Sequence, residues 1–391
     1  MPSTFSLPDR LLLGSGPSPT TERVLRAMSQ PTLGHLDPAF GELLDDVSAR
    51  LRSVFRTENQ VAFPVSGTGS AGMEAMVANL IEPGDRVLCG IHGLFGERMA
   101  DELARHGADV VRVEAEWGRA IPTEVLLGAA DEGPFAAMVV VHAETSTGVT
   151  QPLDGLADAC LERDALLLVD GVTSLGGQQL EIDAWGIDAA FSGTQKCLNV
   201  PPGLAPLTLG PRAVAKAELV ECPSWYFDLS LVLGYWKTPG NGARAYHHTA
   251  PINLIYGLHE GLGEVLEEGL EARWARHATA HDALTRALRA LGLERIAPAG
   301  EHLNPLLAVH VPDGVDDVAV RGPLLTEDGI EISGGLGPFA GRAWRIGVMG
   351  AGANPEPQRR LVRALAPRLG YDPAEALAEL AAGWAATPTT A

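Results

Sequence analysis

Ala165-Leu-Leu-Leu-Val-Asp170 and, further on, Asp188-Ala-Ala-Phe-Ser-Gly-Thr-Gln-Lys196 decide the fold. Each opens on a short apolar run and leads to one side chain capable of chemistry, Asp170 in the first and Lys196 in the second. Continuous apolar runs of this length read as strands buried on both faces, the pattern of a parallel sheet. In open α/β sheets ligands bind beyond the carboxyl ends of the strands. Asp170 at one strand end and Lys196 after the next are therefore candidate site residues, although an isolated aspartate could equally cap a helix and an isolated lysine could be solvated.

Similar runs recur outward from this pair: VAFPV (61–65), RVLCGI (86–91), DVVRV (109–113), AAMVVVH (136–142) and APLTLG (205–210). Between them, 70–81 and 153–163 have helical apolar spacing, so the order is that of βα units around a mostly parallel sheet flanked by helices. From Ile252 to about Leu291 the pattern is helical, with Leu258, Leu262, Val265, Leu266, Leu270 and Trp274 on one stripe. LLAVHV (306–311), a helix near 315–326, IEI (330–332), WRIGVMG (344–350) and helices from about 356 then suggest a smaller α+β domain. The expected division is an N-terminal arm (1–15), a large domain (16–268) and a small C-terminal domain (269–391).

Gly67-Thr-Gly-Ser-Ala-Gly72 follows the VAFPV run and is a literal GxGxxG. Its physics is a helix N-terminus with free backbone N–H groups facing a phosphate, which does not specify the phosphate. A nicotinamide site would want a carboxylate closing the next strand, and RVLCGI runs into His92-Gly-Leu-Phe95 instead. A phosphate-ready loop, an acid at a strand end and a lysine after the next strand are together what pyridoxal phosphate (PLP) chemistry requires. The loop anchors the phosphate, the acid keeps the ring nitrogen protonated, and the lysine amine forms the Schiff base. Phe95 is available to stack on the ring.

Composition narrows the function classes. The chain has 391 residues, 46% of them hydrophobic, and a formal charge of −20, which disfavours nucleic acid and anionic lipid as partners. Cys89, Cys160, Cys197 and Cys222 have neither CxxC nor zinc spacing, and His247-His248 lacks further ligands, so no metal is expected. No apolar run is long enough to span a membrane, the N-terminus lacks a secretory signal, and Thr-Thr-Ala at the C-terminus is not the S-K-L address. A cytoplasmic location is expected.

S-G-T-G-S (66–70), H-A-E-T-S-T-G (142–148), L-L-V-D-G-V-T-S-L-G-G (167–177), S-G-T-Q-K-C-L-N-V-P-P-G (192–203), Y-H-H-T-A-P (246–251) and W-R-I-G-V-M-G (344–350) resemble the alanine–glyoxylate and serine–pyruvate (serine–glyoxylate) aminotransferases of class V, fold type I. The resemblance runs in order, nearly without gaps, from about Gly14 to at least Arg363. It implies PLP held by Lys196, with Lys196 moving the proton, Asp170 on the ring nitrogen, Val172 beneath the ring and Phe95 over it. It also implies that Thr68, Gly69, Ser70 and Gln195 hold the phosphate, Ser70 standing where some relatives have histidine. Tyr246 and Thr249 would reach the phosphate from a second subunit, giving a homodimer with composite sites. Thr145 would lie near the phenolic oxygen, Arg345 would bind the substrate carboxylate, and Gly16 would lie against the substrate.

The implied reaction is ping-pong transfer of an amino group from alanine or serine to glyoxylate. Alternatives within the class are a ureidoglycine–glyoxylate or an aminophosphonate transaminase; outside it, a nicotinamide-dependent dehydrogenase using Gly67–Gly72. Cysteine desulfurase is disfavoured, because no cysteine follows Cys222 and Gln195 stands where those enzymes usually have histidine.

Overall fold

Seven of the apolar runs pair into one sheet in a computed structural model that describes residues 6–236 and 244–386. Residues 1–5 of the expected arm and the C-terminal Thr-Thr-Ala lie outside the described residues. The strands are β1 (Val61–Ser66), β2 (Arg86–Ile91), β3 (Asp109–Glu114), β4 (Ala137–Val141), β5 (Leu166–Asp170), β6 (Ala189–Phe191) and β7 (Leu204–Leu209). Their order is β1-β7-β6-β5-β4-β2-β3, with β7 antiparallel to both neighbours and every other pair parallel. β4 and β5 are buried at every residue, as their continuous apolar runs require.

Because β7 is antiparallel to β1 and to β6, those two strands run the same way as the parallel set. Ser66, Ile91, Val141, Asp170 and Phe191 therefore all end at one edge, with Val141 opposite Asp170 and Asp170 opposite Phe191. The loops that follow carry the motifs picked out from sequence. Helix α1 (Gly69–Leu80) opens directly from the glycine loop, and α2 (Leu94–Arg105) starts one residue before Phe95.

Two helical expectations change in extent. The 153–163 segment forms a helix only over Leu156–Leu161, between Gly155 and Asp164, both of which have positive φ. The 252–291 stretch is two helices, α3 (Ile252–Glu268) and α4 (Leu270–Ala290), broken at Gly269, whose φ is +80°. Leu258, Leu262, Val265 and Leu270 enter the core, but Leu266 is exposed because it falls at the edge of the stripe just before that break.

A second apolar cluster gathers α4, the helices Asp317–Thr326, Pro355–Arg368 and Pro373–Ala385, and a three-stranded sheet. That sheet has the order β8 (Leu306–His310), β10 (Ala343–Gly347), β9 (Ser333–Gly334) and is antiparallel throughout. The N-terminal segment joins this cluster: Leu11–Leu12 pairs in parallel with Ile330–Glu331, and Leu13 is buried in it. No helix among the described residues is long and apolar enough to cross a membrane.

The position of β10 matters because it carries Arg345. Its neighbour Trp344 is fully buried, and the indole Nε1 donates to Asp317 Oδ1 at 2.7 Å, while Arg321 Nη2 donates to Oδ2 at 2.7 Å. Asp317→Leu should leave the indole N–H unpaired and cost about 1–3 kcal/mol. The hydrogen bond from Arg321 holds the Asp317 carboxyl below its ordinary range. Its stabilising contribution is therefore complete above a pH of about 4 and is lost as pH falls through the depressed value. Thermal midpoints between about pH 2 and 5 should fall more steeply for the wild type than for Asp317→Asn; parallel curves would contradict the assignment.

Candidate active site

Thr68, Gly69 and Ser70 from the glycine loop, Phe95 from α2, and Thr145 after β4 line one cavity of about 130 Å³. Asp170, Val172, Gln195 and Lys196 close it from the ends of β5 and β6. Nine of the sequence-derived residues thus converge, because the loops that hold them leave the same edge of the sheet.

The phosphate end of this cavity is built from backbone. Thr68 caps α1 without a side-chain bond; Ala71 N and Gly72 N donate to Thr68 O, whereas Gly69 N and Ser70 N have no partner among the described residues. Two free N–H groups at the positive end of a twelve-residue helix form an anion cradle. The Gln195 side-chain oxygen is buried nearby without a hydrogen-bond partner.

At the opposite end stand buried ionisable groups. Asp170 accepts from Val172 N at 2.8 Å through one oxygen, and burial pushes its carboxyl up to about 7. Lys196 Nζ donates to the Ser15 carbonyl, and its pKa falls to about 8, first through burial and then through the charge of Arg345. Each group lacks a full counter-charge, and each moves toward its neutral form. A cationic ring nitrogen would restore the Asp170 carboxylate.

Arg345 reaches the same place from the C-terminal sheet. It is 7% exposed; Nε donates to Gly334 O at 2.8 Å and Nη1 to Thr145 O at 3.2 Å. Nη2 has no protein partner among the described residues, so one edge of the fork is free for a carboxylate. Burial lowers its pKa to about 10, which leaves it charged at neutral pH. Gly16 lies against Lys196: with φ at +110°, a Cβ there would stand 2.8 Å from Lys196 Nζ.

Tyr246 and Thr249 are not brought to this cavity. Both are exposed on the surface of their own chain. His92 and His142 are buried and lowered to about 4 by desolvation, and His142 Nδ1 pairs with Ser174 Oγ at 2.7 Å.

Two residues were missed in the sequence. Glu144 is fully buried and caps α2: one oxygen accepts from Phe95 N at 2.9 Å and Gly96 N at 3.3 Å, the other from Ser146 N at 2.9 Å. Its carboxylate thus fixes the start of the helix that presents Phe95. Arg98 lines the cavity, with its guanidinium 5.0 Å from the centre of the Phe95 ring and Nη1 3.3 Å from Ser70 Oγ. Its available signal was its spacing, three residues beyond Phe95 on one helix.

The model of the family described as aminotransferase class-V matches residues 11–339. The chain belongs to the class V aminotransferases. It is similar to a solved alanine–glyoxylate aminotransferase from Nostoc sp., with 44% identity, a TM-score of 0.92 and coverage of 94% of this chain and 97% of that one. It is also similar to the ureidoglycine–glyoxylate aminotransferase of Bacillus subtilis, with 38% identity, a TM-score of 0.94 and coverage of 97% and 99%. A curated relative, alanine–glyoxylate aminotransferase of Drosophila melanogaster, is 38% identical over 354 residues, 90% of each chain. The cofactor of class V aminotransferases is PLP, and the cavity fits it. The helix-end cradle suits its phosphate, the under-compensated Asp170 its ring nitrogen, and the buried Lys196 amine its aldehyde. The glycine loop therefore serves this cofactor, and the dinucleotide reading falls away.

In the cofactor-free protein, the rate of PLP uptake should rise with pH through about 8 as Lys196 becomes neutral. Arg345→Gln removes a neighbouring positive charge, so that inflection should move to higher pH. An unshifted inflection in stopped-flow absorbance would show that Arg345 does not act on Lys196.

Proposed function

We propose that this class V aminotransferase takes the amino group of alanine or serine and passes it to glyoxylate, releasing a 2-oxo acid and then glycine in ping-pong order. The observation that carries this reading is the convergence of Arg345 and Lys196 in one buried site, a carboxylate anchor beside an amine of lowered pKa. Glyoxylate is named in relatives that differ in their amino donor, which supports it as the acceptor.

When bound, PLP supplies an electron sink for the substrate α-carbon and a temporary carrier for the amino group. The rest is the work of this chain. Arg345 holds the carboxylate of donor and acceptor alike through its free edge, which fixes the α-carbon near Lys196. Lys196, once its amine is released, takes the α-proton and later returns it; a pKa near 8 leaves a useful neutral fraction at physiological pH. Asp170 would hold the ring nitrogen through its carboxylate, and Phe95, whose backbone N–H is held by Glu144, would supply the aromatic face of the pocket.

We further propose a homodimer with composite sites. Tyr246 and Thr249 lie outside their own chain's cavity on the 246–249 strip, where the Tyr246 ring is exposed beside that of His35. Burying that strip against a second copy would place these side chains for use by the partner's site.

A half-reaction screen tests the function. Alanine or serine should bleach the cofactor's absorbance band, and glyoxylate should restore it; bleaching only by another donor, such as ureidoglycine, would overturn the donor assignment. Arg345→Ala should lower kcat/KM by roughly 100-fold, the size expected for losing a charge-assisted, partly buried fork. Wild-type kcat/KM in that variant would remove Arg345 from the substrate site.

A further inference from the structure

The His247-His248 pair has no part in the chemistry above, yet it sits in a continuous hydrogen-bonded chain that ends at the phosphate loop. Ser66, the last residue of β1, places Oγ 2.7 Å from His248 Nε2. His248 Nδ1 is 2.8 Å from His247 Nδ1, and His247 Nε2 is 3.3 Å from the Trp225 carbonyl oxygen. Ring contacts hold the chain in place. His247 is stacked on Trp225 at 4.5 Å, and the Tyr226 ring lies 5.4 Å from that of His248 while its hydroxyl donates to Ser66 O at 3.1 Å.

With both imidazoles neutral, only one proton order satisfies every link. The Trp225 carbonyl can only accept, so His247 carries its proton on Nε2 and offers a lone pair at Nδ1. His248 must then donate from Nδ1, which leaves its Nε2 bare. Ser66 therefore donates its hydroxyl proton to His248, and Oγ is fixed in direction as well as distance. Burial, followed by the neighbouring His247 and His35, lowers the pKa of His248 to about 4, in keeping with the neutral ring.

The placement gives the chain its consequence. Ser66 immediately precedes Gly67-Thr68-Gly69, and His247-His248 lies between Tyr246 and Thr249, whose side chains are exposed. We propose that Ser66–His248–His247–Trp225 is a positioning chain that locks the phosphate loop to the 246–249 strip, so that retention of the cofactor depends on His248. The inference rests on the reading of Gly67–Ser70 as the phosphate cradle. Ser66 and His248 are positioning residues, since neither needs to touch the cofactor.

The test follows the rate at which PLP leaves the loaded protein after dilution, read by absorbance, in Ser66→Ala, His248→Phe, the double variant and Gly69→Pro. Each of the first two variants should lose cofactor about three- to tenfold faster than the wild type, as expected for one hydrogen bond. The double variant should be no faster than the faster single one, because both remove the same link. Wild-type rates in the singles, or multiplied effects in the double, would overturn the positioning chain. Ser66→Ala removes one oxygen atom and guards against misfolding of His248→Phe. If Gly69→Pro, which removes one N–H of the cradle at a helix position that tolerates proline, releases cofactor while Ser66→Ala and His248→Phe do not, the positioning chain alone fails; if none of them does, the phosphate cradle itself has been misread.

Discussion

Two backbones meet near the active site with no room for a side chain between them. A Cβ on Gly347 would stand 2.0 Å from the Gly14 carbonyl oxygen, and Gly347 N donates to Leu13 O at 2.8 Å. On the other side of the same segment, Ser18 N donates to Gln195 O at 2.8 Å and the Ser15 carbonyl receives the Lys196 amine. Residues 13–18 are therefore the thin layer that separates the lysine loop of the large sheet from the strand that carries Arg345. Thickening this layer by a single methyl group at Gly347 would push Arg345 away from Lys196.

The electrostatics of the site follow from that closeness. Lys196, Asp170 and Arg345 are buried together without enough opposite charge, which shifts all three toward neutrality. Glu144, also buried, caps α2 and is held by donors from Phe95, Gly96 and Ser146, and its charge offsets only part of the positive charge of Lys196 and Arg345. A ligand set with an anionic end, a cationic ring nitrogen and an α-carboxylate supplies what these groups lack. The site is thus held in a state of charge imbalance that cofactor and substrate relieve.

Much of this was legible in the sequence because it is local. The seven apolar runs became the seven strands of the large sheet, and the residues that end them converge because the strands share a direction. What escaped depends on contacts between distant segments. Nothing local marks Leu11–Leu12 as the partner of Ile330–Glu331, and that pairing ties the N-terminal segment to the C-terminal cluster. Glu144 stood inside a quoted motif, but its role as the cap of a helix some 50 residues earlier is a tertiary fact. The helical stripe was read past Gly269 because apolar spacing continues across a break that only the backbone angle reveals.

The chemistry turns on one lysine, and the small number of lysines in the chain favours a direct test. The chain contains three lysines: Lys196; Lys216, which is ion-paired with Glu82; and Lys237, which lies outside the described residues. Borohydride reduction of the PLP-loaded protein, followed by proteolysis and mass mapping, should place a single cofactor adduct on the peptide that contains Lys196. An adduct on Lys216 or Lys237 instead, or none on any peptide, would contradict the placement of the cofactor between Asp170 and Lys196 on which the mechanism rests.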